Sequence, residues 1–439
     1  MPPKIIAPQH AVIESLSHEG RGITHINNKT TFLENGLPGE EVNFIYTKRH
    51  SKFDAGAAIE IIKPSPERVT PLCQHYNICG GCVLQHLKHE KQIALKTKVV
   101  QEQLKHIANE ESINFLSPII GPIWGYRHKA RLSVKYVQKK SKVLVGFHEK
   151  NSSYVAETSS CEILHPSVGK KIDFLTELVA GLSIYQHIPQ IEIACGNGVT
   201  ALIIRNLQTF SDHDIKLISD FATIHKFQIY SQSGGIDSIK PINLDQEEKE
   251  LYYNLSNYNL KIAFTPTDFT QINYTINIQL VDHVLNLLEI TKADKILDLF
   301  CGIGNFTLPI ATKCAKVIGV EGSKTAVTRA QKNAEINNIK NTAFYVADLA
   351  KELLGVNWDK EQYDKILLDP PRTGAEELCK QIKKFGAKKI VYVSCNPATF
   401  ARDTKILTEH GYKLQNITLA DMYPHTSHIE VVGDFELGK

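Results

Sequence analysis

Apolar and polar positions follow three rhythms along the chain. From residue 6 to about 64 the apolar runs are short and evenly spaced, at Ala11–Leu16, Thr30–Leu33, Val42–Thr47 and Ala57–Ile62. Glycine-bearing turns separate them: His18-Glu-Gly-Arg-Gly22, Asn35-Gly36 and Leu37-Pro-Gly-Glu40. This spacing predicts a small β-barrel. The proline-containing stretch Lys63–Pro71 reads as a linker, and a long helix is expected near His86–Ile107. In the middle of the chain Arg131, Ser133 and Lys135 alternate with Leu132, Val134 and Tyr136. A period of two places the basic groups on one face of a strand and the apolar ones on the other. The remainder, to about Leu260, has no sustained period. From about Thr265 onward apolar strands alternate with helical stretches. The strands are expected at Lys295–Phe300, Lys316–Val320, Ala343–Val346, Lys365–Leu368 and Lys389–Val393, with helices such as Lys324–Asn337 between them. That alternation means βαβ units and a parallel sheet. The expected fold is therefore α/β. A Rossmann-like C-terminal domain (263–439) follows an N-terminal OB-like barrel (1–64) and a central α+β domain (65–262).

Composition changes this picture in a few places. The chain has 439 residues, more than one ordinary core accommodates. No apolar stretch reaches the roughly 18 residues a membrane span needs. The opening Met1–His10 lacks the apolar run of a secretion signal, so a cytoplasmic location is expected; a monomer is expected as well. A net charge of +3 is no argument for nucleic acid, but Tyr126–Lys150 holds eight Lys or Arg and one acid, Glu149. This run is either a phosphate-binding face or a solvated hairpin. The nine cysteines should be free thiols in a reducing compartment. Cys195, Cys314 and Cys379 read as core residues. Cys73-x5-Cys79-Gly-Gly-Cys82 differs, offering three thiols within ten residues. With a fourth ligand from elsewhere, and with His75 and His86 nearby, this spacing suits zinc and an iron–sulfur cluster alike. Gly80 and Gly81 are expected to turn tightly through backbone angles that only glycine takes easily.

The first strand of the C-terminal region runs into Cys301-Gly-Ile-Gly-Asn-Phe306, a turn that lets a ligand approach the backbone at a helix N-terminus. Glu321, at the end of the next strand, is placed to accept ribose hydroxyls, and Asp348 to meet an adenine amino group. The third glycine of a dinucleotide fingerprint is missing. A nucleoside without phosphates, such as S-adenosylmethionine, fits better than NAD. Three segments lie later: Leu368-Asp-Pro-Pro-Arg-Thr-Gly374, Val393-Ser-Cys-Asn-Pro397 and Asp421-Met-Tyr-Pro-His-Thr-Ser-His-Ile-Glu430. Cys395 leaves an apolar strand for a proline-containing turn, where a cysteine is either filler or nucleophile. Electropositive surroundings are expected to favour its thiolate.

Together, Phe264–Asn273, the Asp298–Phe306 turn, Asp369-Pro-Pro-Arg372, Ser394–Thr399 and Asp421–Glu430 resemble the RNA uracil-5 methyltransferase family, and the resemblance covers the whole chain. Tyr423 stands where the family commonly has Phe. The first region resembles a TRAM domain, an RNA-binding barrel, and the cysteine motif is similar to the family's iron–sulfur motif. Both imply the 23S ribosomal RNA branch rather than the tRNA branch. The resemblance implies Cys395 as nucleophile and Glu430 as base. It implies S-adenosylmethionine contacts at Gln271, Phe300, Asn305, Glu321, Asp348 and Asp369, and a [4Fe–4S] cluster on Cys73, Cys79, Cys82 and Cys161. The chemistry explains the pairing. Carbon 5 of uracil becomes nucleophilic only once a thiolate has added at carbon 6, and a base must afterwards remove the carbon 5 proton. Two other readings stay open: a methyltransferase acting on a nitrogen, which needs no thiol adduct, or on cytosine, and an RNA-binding assembly factor with a vestigial catalytic domain.

Overall fold

The structure, a computed structural model, describes residues 8–242, 249–351 and 357–438. Most of the Met1–His10 reading therefore lies outside the described residues.

The C-terminal region forms a sheet of seven strands: β1 (Lys295–Leu299), β2 (Lys316–Glu321), β3 (Thr342–Val346), β4 (Lys365–Leu368), β5 (Lys389–Ser394), β6 (Tyr412–Ala420) and β7 (Glu430–Leu437). Their spatial order is β3-β2-β1-β4-β5-β7-β6, and a short strand from far upstream, Asn114–Phe115, adds to the β6 edge. The first five strands are parallel, while β7 runs antiparallel between β5 and β6. β5 is buried along its whole length, as a strand covered on both faces must be. One face packs on the helix Tyr274–Leu288 and the other on helices that include Pro397–Glu409. The expected strands agree with β1–β5 to within a residue. β6 and β7 lie beyond them and reverse the chain to close the sheet around β5.

The N-terminal region is a six-stranded sheet ordered Gln9–Val12, Glu41–Arg49, Asp54–Lys63, Lys29–Glu34, Gly22–Ile26, Ser15–Leu16. Its two edge strands are consecutive pieces of one segment, parted only by Ile13 and Glu14, and closure into the expected barrel is not shown by the strand pairing. Gly22–Ile26 was not expected as a strand because its glycine-rich approach reads as turn. Arg68 clamps this unit to the linker. Its guanidinium donates to the buried Glu40 carboxylate at 2.6 and 2.7 Å.

The central region is a second six-stranded sheet. Its order is Ile239–Pro241, Phe227–Gln232, Thr200–Arg205, Gln190–Cys195, Lys129–Val137, Lys142–Gly146. The helices Ile172–Gly181 and Asp212–His225 bury their apolar stripes against it. Cys195, Cys314 and Cys379 are buried, as read from the sequence.

Two pieces expected in the central domain pack instead on the C-terminal core. The hairpin Leu251–Leu255 with Leu260–Phe264 shares a core with the helix Tyr274–Leu288, and position 263 falls inside its second strand. The long helix spans His89–Gln103 and ends in a π-turn, Leu104–Ala108. Val99, Val100 and Leu104 join the core on the other face of the C-terminal sheet. Among the described residues no helix is long and apolar enough to cross a membrane.

Candidate active site and cysteine cavity

The site forms where the carboxyl ends of the parallel strands meet the start of β7. Ser394, the last residue of β5, pairs with Val431. Cys395 therefore leaves the sheet beside Glu430, the first residue of β7. Pro397 opens the helix that follows, and the Asn396 side chain caps it by accepting from Ala398 N–H at 3.1 Å. The same amide donates to the Arg372 carbonyl at 2.9 Å, and Thr399 donates to it at 3.3 Å. These bonds tie the Cys395 turn to the stiff Asp369-Pro-Pro-Arg372 turn at the end of β4.

Electrostatics at this junction overturn one expectation. Burial first, then the Glu430 and Asp369 carboxylates, push the Cys395 thiol up to about 11, and the Arg372 guanidinium only partly opposes them. The surroundings are thus electronegative on balance and favour the thiol. The sequence displayed Arg372 but not the two carboxylates, which the sheet brings in from other strands. Glu430 is itself only 3% exposed, and burial followed by Asp369 holds it well above the usual carboxylate range. Burial and then Glu321 lift Asp369 to about 7. Asp298, on β1, is raised to about 8 by burial and by Asp369 and Glu321, with the Thr307 hydroxyl opposing. One of its buried oxygens has no hydrogen-bond partner.

Around this acidic centre stand the other residues singled out by the sequence. Phe300 follows β1 in the left-handed region (φ 67°), which costs a non-glycine residue energy and marks a turn held by its surroundings. Gly302 and Gly304 continue it at φ 54° and 94°, angles that suit glycine. Glu321 spans the turn, accepting from Gly302 N–H at 3.3 Å and Ser323 N–H at 2.8 Å. Asn305 is held in a reciprocal amide pair with Asn277, at 2.9 Å each way, and accepts from Tyr253 at 2.8 Å. Gln271 is buried in the loop before the helix Tyr274–Leu288. Asp348 lies apart at the exposed rim, paired with Lys351 at 2.8 Å.

Sequence reasoning missed the helix residues His89, Gln92 and Lys96 on the far side of the site. Asp421, buried at the end of β6, accepts from Lys96 Nζ at 2.7 Å and from His89 Nε2 at 2.7 Å. Gln92 accepts from His425 N–H at 2.9 Å. Apolar periodicity had only marked these polar residues as belonging to a helix. A lysine and a glutamine on its buried face were the available signal.

Cys73, Cys79, Cys82 and Cys161 line one cavity together with Tyr76, Gln85 and Phe147. Burial raises all four thiols, Cys82 to about 12 and Cys161 to about 11. Among the described residues no three His, Cys, Asp or Glu side chains are grouped so that they could hold a metal ion as they stand. Gly80 and Gly81 do not use left-handed angles. A side chain at Gly80 would instead meet the Glu149 carbonyl at 3.1 Å. The tight turn is thus required by close packing of the loop on His148 and Glu149.

The basic run of Tyr126–Lys150 is largely paired. Arg131 meets Glu192 at 2.8 Å, Lys140 and Lys142 meet Glu157 at 3.0 and 2.6 Å, and Lys129 donates to the Asp268 carbonyl. Arg131 and Lys150 line a groove of about 630 Å³ together with Arg21 of the N-terminal sheet, Gly80 and Gly81 of the cysteine loop, and Ser427.

A sequence model described as tRNA (Uracil-5-)-methyltransferase matches residues 89–433. The chain is similar to proteins named 23S rRNA (uracil(1939)-C(5))-methyltransferase RlmD. In Alcanivorax borkumensis the identity is 47% over 429 residues, covering 98% of this chain and 96% of that one. In Nitrosococcus oceani it is 47% over 432 residues, with the same coverage. The fold is similar to that of the Pyrococcus abyssi tRNA (uracil-54, C5)-methyltransferase, solved in complex with S-adenosyl-L-homocysteine. That likeness has a TM-score of 0.73 at 23% identity, over 97% of this chain and 100% of the other. The motifs at the sheet's carboxyl edge and the relatives along almost the whole chain agree, and this chain belongs to the uracil-5 methyltransferase family.

Proposed function

We propose that this enzyme transfers a methyl group from S-adenosylmethionine to carbon 5 of a uridine in 23S ribosomal RNA, with Cys395 as nucleophile and Glu430 as base. The observation that carries this reading is the placement of a thiol and a buried carboxylate side by side by the pairing of β5 with β7. Chemistry at a nitrogen needs no such pair. The ribosomal target follows the names of the relatives.

Asp298 and Glu430 are buried and Asp369 is half-buried; all three acids are raised by desolvation and by neighbouring carboxylates, and Asp298 keeps an unpartnered oxygen. That donor set suits a cationic ligand. S-adenosylmethionine, when bound, supplies the electrophilic methyl group on a positive sulfonium. Gln271, Phe300, Asn305, Glu321, Asp348 and Asp369 are the residues we read as holding it. Asp369, whose carboxylate lies close enough to act on the Cys395 thiol, takes its proton. The sulfur bonds to carbon 6, and the carbon 5–carbon 6 π electrons move toward oxygen 4. Carbon 5 would then take the methyl group as the methyl–sulfur bond breaks, its electron pair staying on the sulfur of the departing S-adenosylhomocysteine. Glu430 removes the carbon 5 proton, the double bond re-forms, and the bond from carbon 6 to sulfur breaks. The expelled thiolate recovers the proton held by Asp369, and the proton on Glu430 leaves to water. Burial makes the Glu430 carboxylate a stronger proton acceptor once it is ionised.

The N-terminal sheet (1–64) reads as a TRAM-type RNA-binding unit. The groove lined by Arg21, Arg131 and Lys150 reads as its continuation, and the target base is flipped into the pocket. The central domain (65–262) carries Cys73, Cys79, Cys82 and Cys161, which we read as ligands of a structural [4Fe–4S] cluster. Four thiols spread round a cavity suit a multi-atom cluster better than one zinc, which draws its sulfurs to about 2.3 Å. The catalytic domain (263–439) takes in the hairpin that begins at Leu251. The enzyme is read as cytoplasmic and monomeric.

Transfer of labelled methyl from S-adenosylmethionine to 23S ribosomal RNA tests the proposal. The expected product is a single 5-methyluridine that is missing from RNA of cells lacking the protein. Labelled RNA whose methyl sits on nitrogen or on cytosine would overturn it.

A further inference from the structure

The loop 421–429 joins β6 to β7, and its two ends are partners, since Ala420 pairs with Glu430. Its middle is held almost wholly by residues from before position 130. Lys96 Nζ donates to the Tyr423 carbonyl at 2.9 Å, and the Tyr126 hydroxyl donates to the Pro424 carbonyl at 2.9 Å. His425 N–H donates to Gln92 Oε1 at 2.9 Å. The His425 carbonyl accepts from Val83 and Leu84 N–H at 2.9 and 3.0 Å. The Gln92 amide nitrogen donates to the Leu84 and Leu87 carbonyls at 3.0 and 2.8 Å, so one side chain ties the loop to the segment that follows Cys82. His425 sits at φ 66° with its ring stacked 4.0 Å from Trp124. A non-glycine residue stays in that conformation only where its surroundings over-determine it.

Lys96 and Asp421 are 2% and 1% exposed. Burying an ion pair is a poor route to stability, since well-packed apolar side chains do as well or better. What the pair does supply is a fixed position for the residue that follows Ala420, and hence for Glu430 across the strand. We infer that Lys96 and Gln92 are positioning residues for the catalytic base, seating the 421–429 loop so that Glu430 faces the carbon 5 proton. The inference rests on Glu430 being that base. Lys96 and Gln92 are both buried and bond to the 421–429 loop, so their effect is assigned to the proton-removal step and not to assembly of the cofactor pocket.

The test uses full-length Lys96→Met and Gln92→Met, with Glu430→Gln as reference, on unmodified RNA carrying the target uridine. Gln92→Met leaves the buried charge pair intact, so it decides the matter if Lys96→Met does not fold. Both variants should lower kcat by about 10²-fold, the scale of a misplacement near 1 Å. KM for RNA and affinity for S-adenosylmethionine should stay close to wild type. Covalent protein–RNA adduct should accumulate on denaturing gels, as in Glu430→Gln. A purely structural role would lower activity in step with the folded fraction and leave no adduct, and that result overturns the inference. If Glu430→Gln accumulates adduct while neither methionine variant does, only the positioning role falls. If Glu430→Gln turns over like wild type, the base reading falls and takes this inference with it.

Discussion

Ser394 is the cross-strand partner of Val431, and this register sets Cys395 against Glu430. A shift of one residue would turn every side chain of β7 to the opposite face and carry the carboxylate away from the thiol.

Replacing the nucleophile should stop the chemistry at its first bond. RNA bearing 5-fluorouridine should form a covalent adduct with the wild-type enzyme, because fluorine cannot leave as a proton does. Cys395→Ala should form none and should methylate ordinary RNA only at background level. Methylation retained in that variant would remove the covalent mechanism.

Removing the base should stop it at the last bond. Glu430→Gln should still transfer methyl once but turn over on the order of 10²–10⁴-fold more slowly, the usual worth of a positioned acid or base. Denaturing gels of the variant with unmodified RNA should show adduct. A wild-type rate would move the base to Asp369 or to water.

The raised Cys395 thiol has a pH signature. A group raised to about 11 keeps its proton across the neutral range. Alkylation of Cys395 by iodoacetamide in the free enzyme should therefore be roughly 10²-fold slower at pH 8 than for a cysteine of ordinary pKa, about 8.5. The rate should climb until about pH 11. Because the Arg372 charge opposes the rise, Arg372→Ala should slow alkylation further. A plateau near pH 8 would contradict the electronegative surroundings.

The groove can be probed through salt. The Arg131 side chain is 66% exposed where it lines the groove, despite its bond to Glu192. Arg131→Ala should weaken RNA binding, and the slope of log affinity against log salt should flatten by about 1. S-adenosylmethionine binding should be unchanged. An unaltered slope would leave the basic run as a solvated face.

The cysteine cavity makes its own prediction. Protein purified without oxygen should be brown and carry about four irons per chain. Cys82→Ala should lose the colour and loosen the central region, while binding of S-adenosylmethionine largely survives. Colourless protein with one zinc would refute the iron reading.

The sequence alone determined what local pattern can determine. Continuous apolar runs fixed β1–β5 because a strand covered on both faces has no polar alternative. The Gly302 and Gly304 turn was legible because backbone angles leave few residue choices there. The motif residues Cys395, Glu430 and Asp369 were singled out through their resemblance to a family's motifs, since local pattern alone left Cys395 as filler or nucleophile. Tertiary structure decided the rest, through contacts that cross hundreds of residues. The sign of the potential at Cys395 depends on carboxylates delivered by other strands. The place of the helix His89–Gln103 depends on which core its apolar stripe meets. Lys96 and Gln92 became part of the site only when the loop 421–429 settled on them. The reason is common to all three. A hydrophobic period records which face of an element is buried, but not what it is buried against. Charges and hydrogen bonds in the interior take their value from that partner.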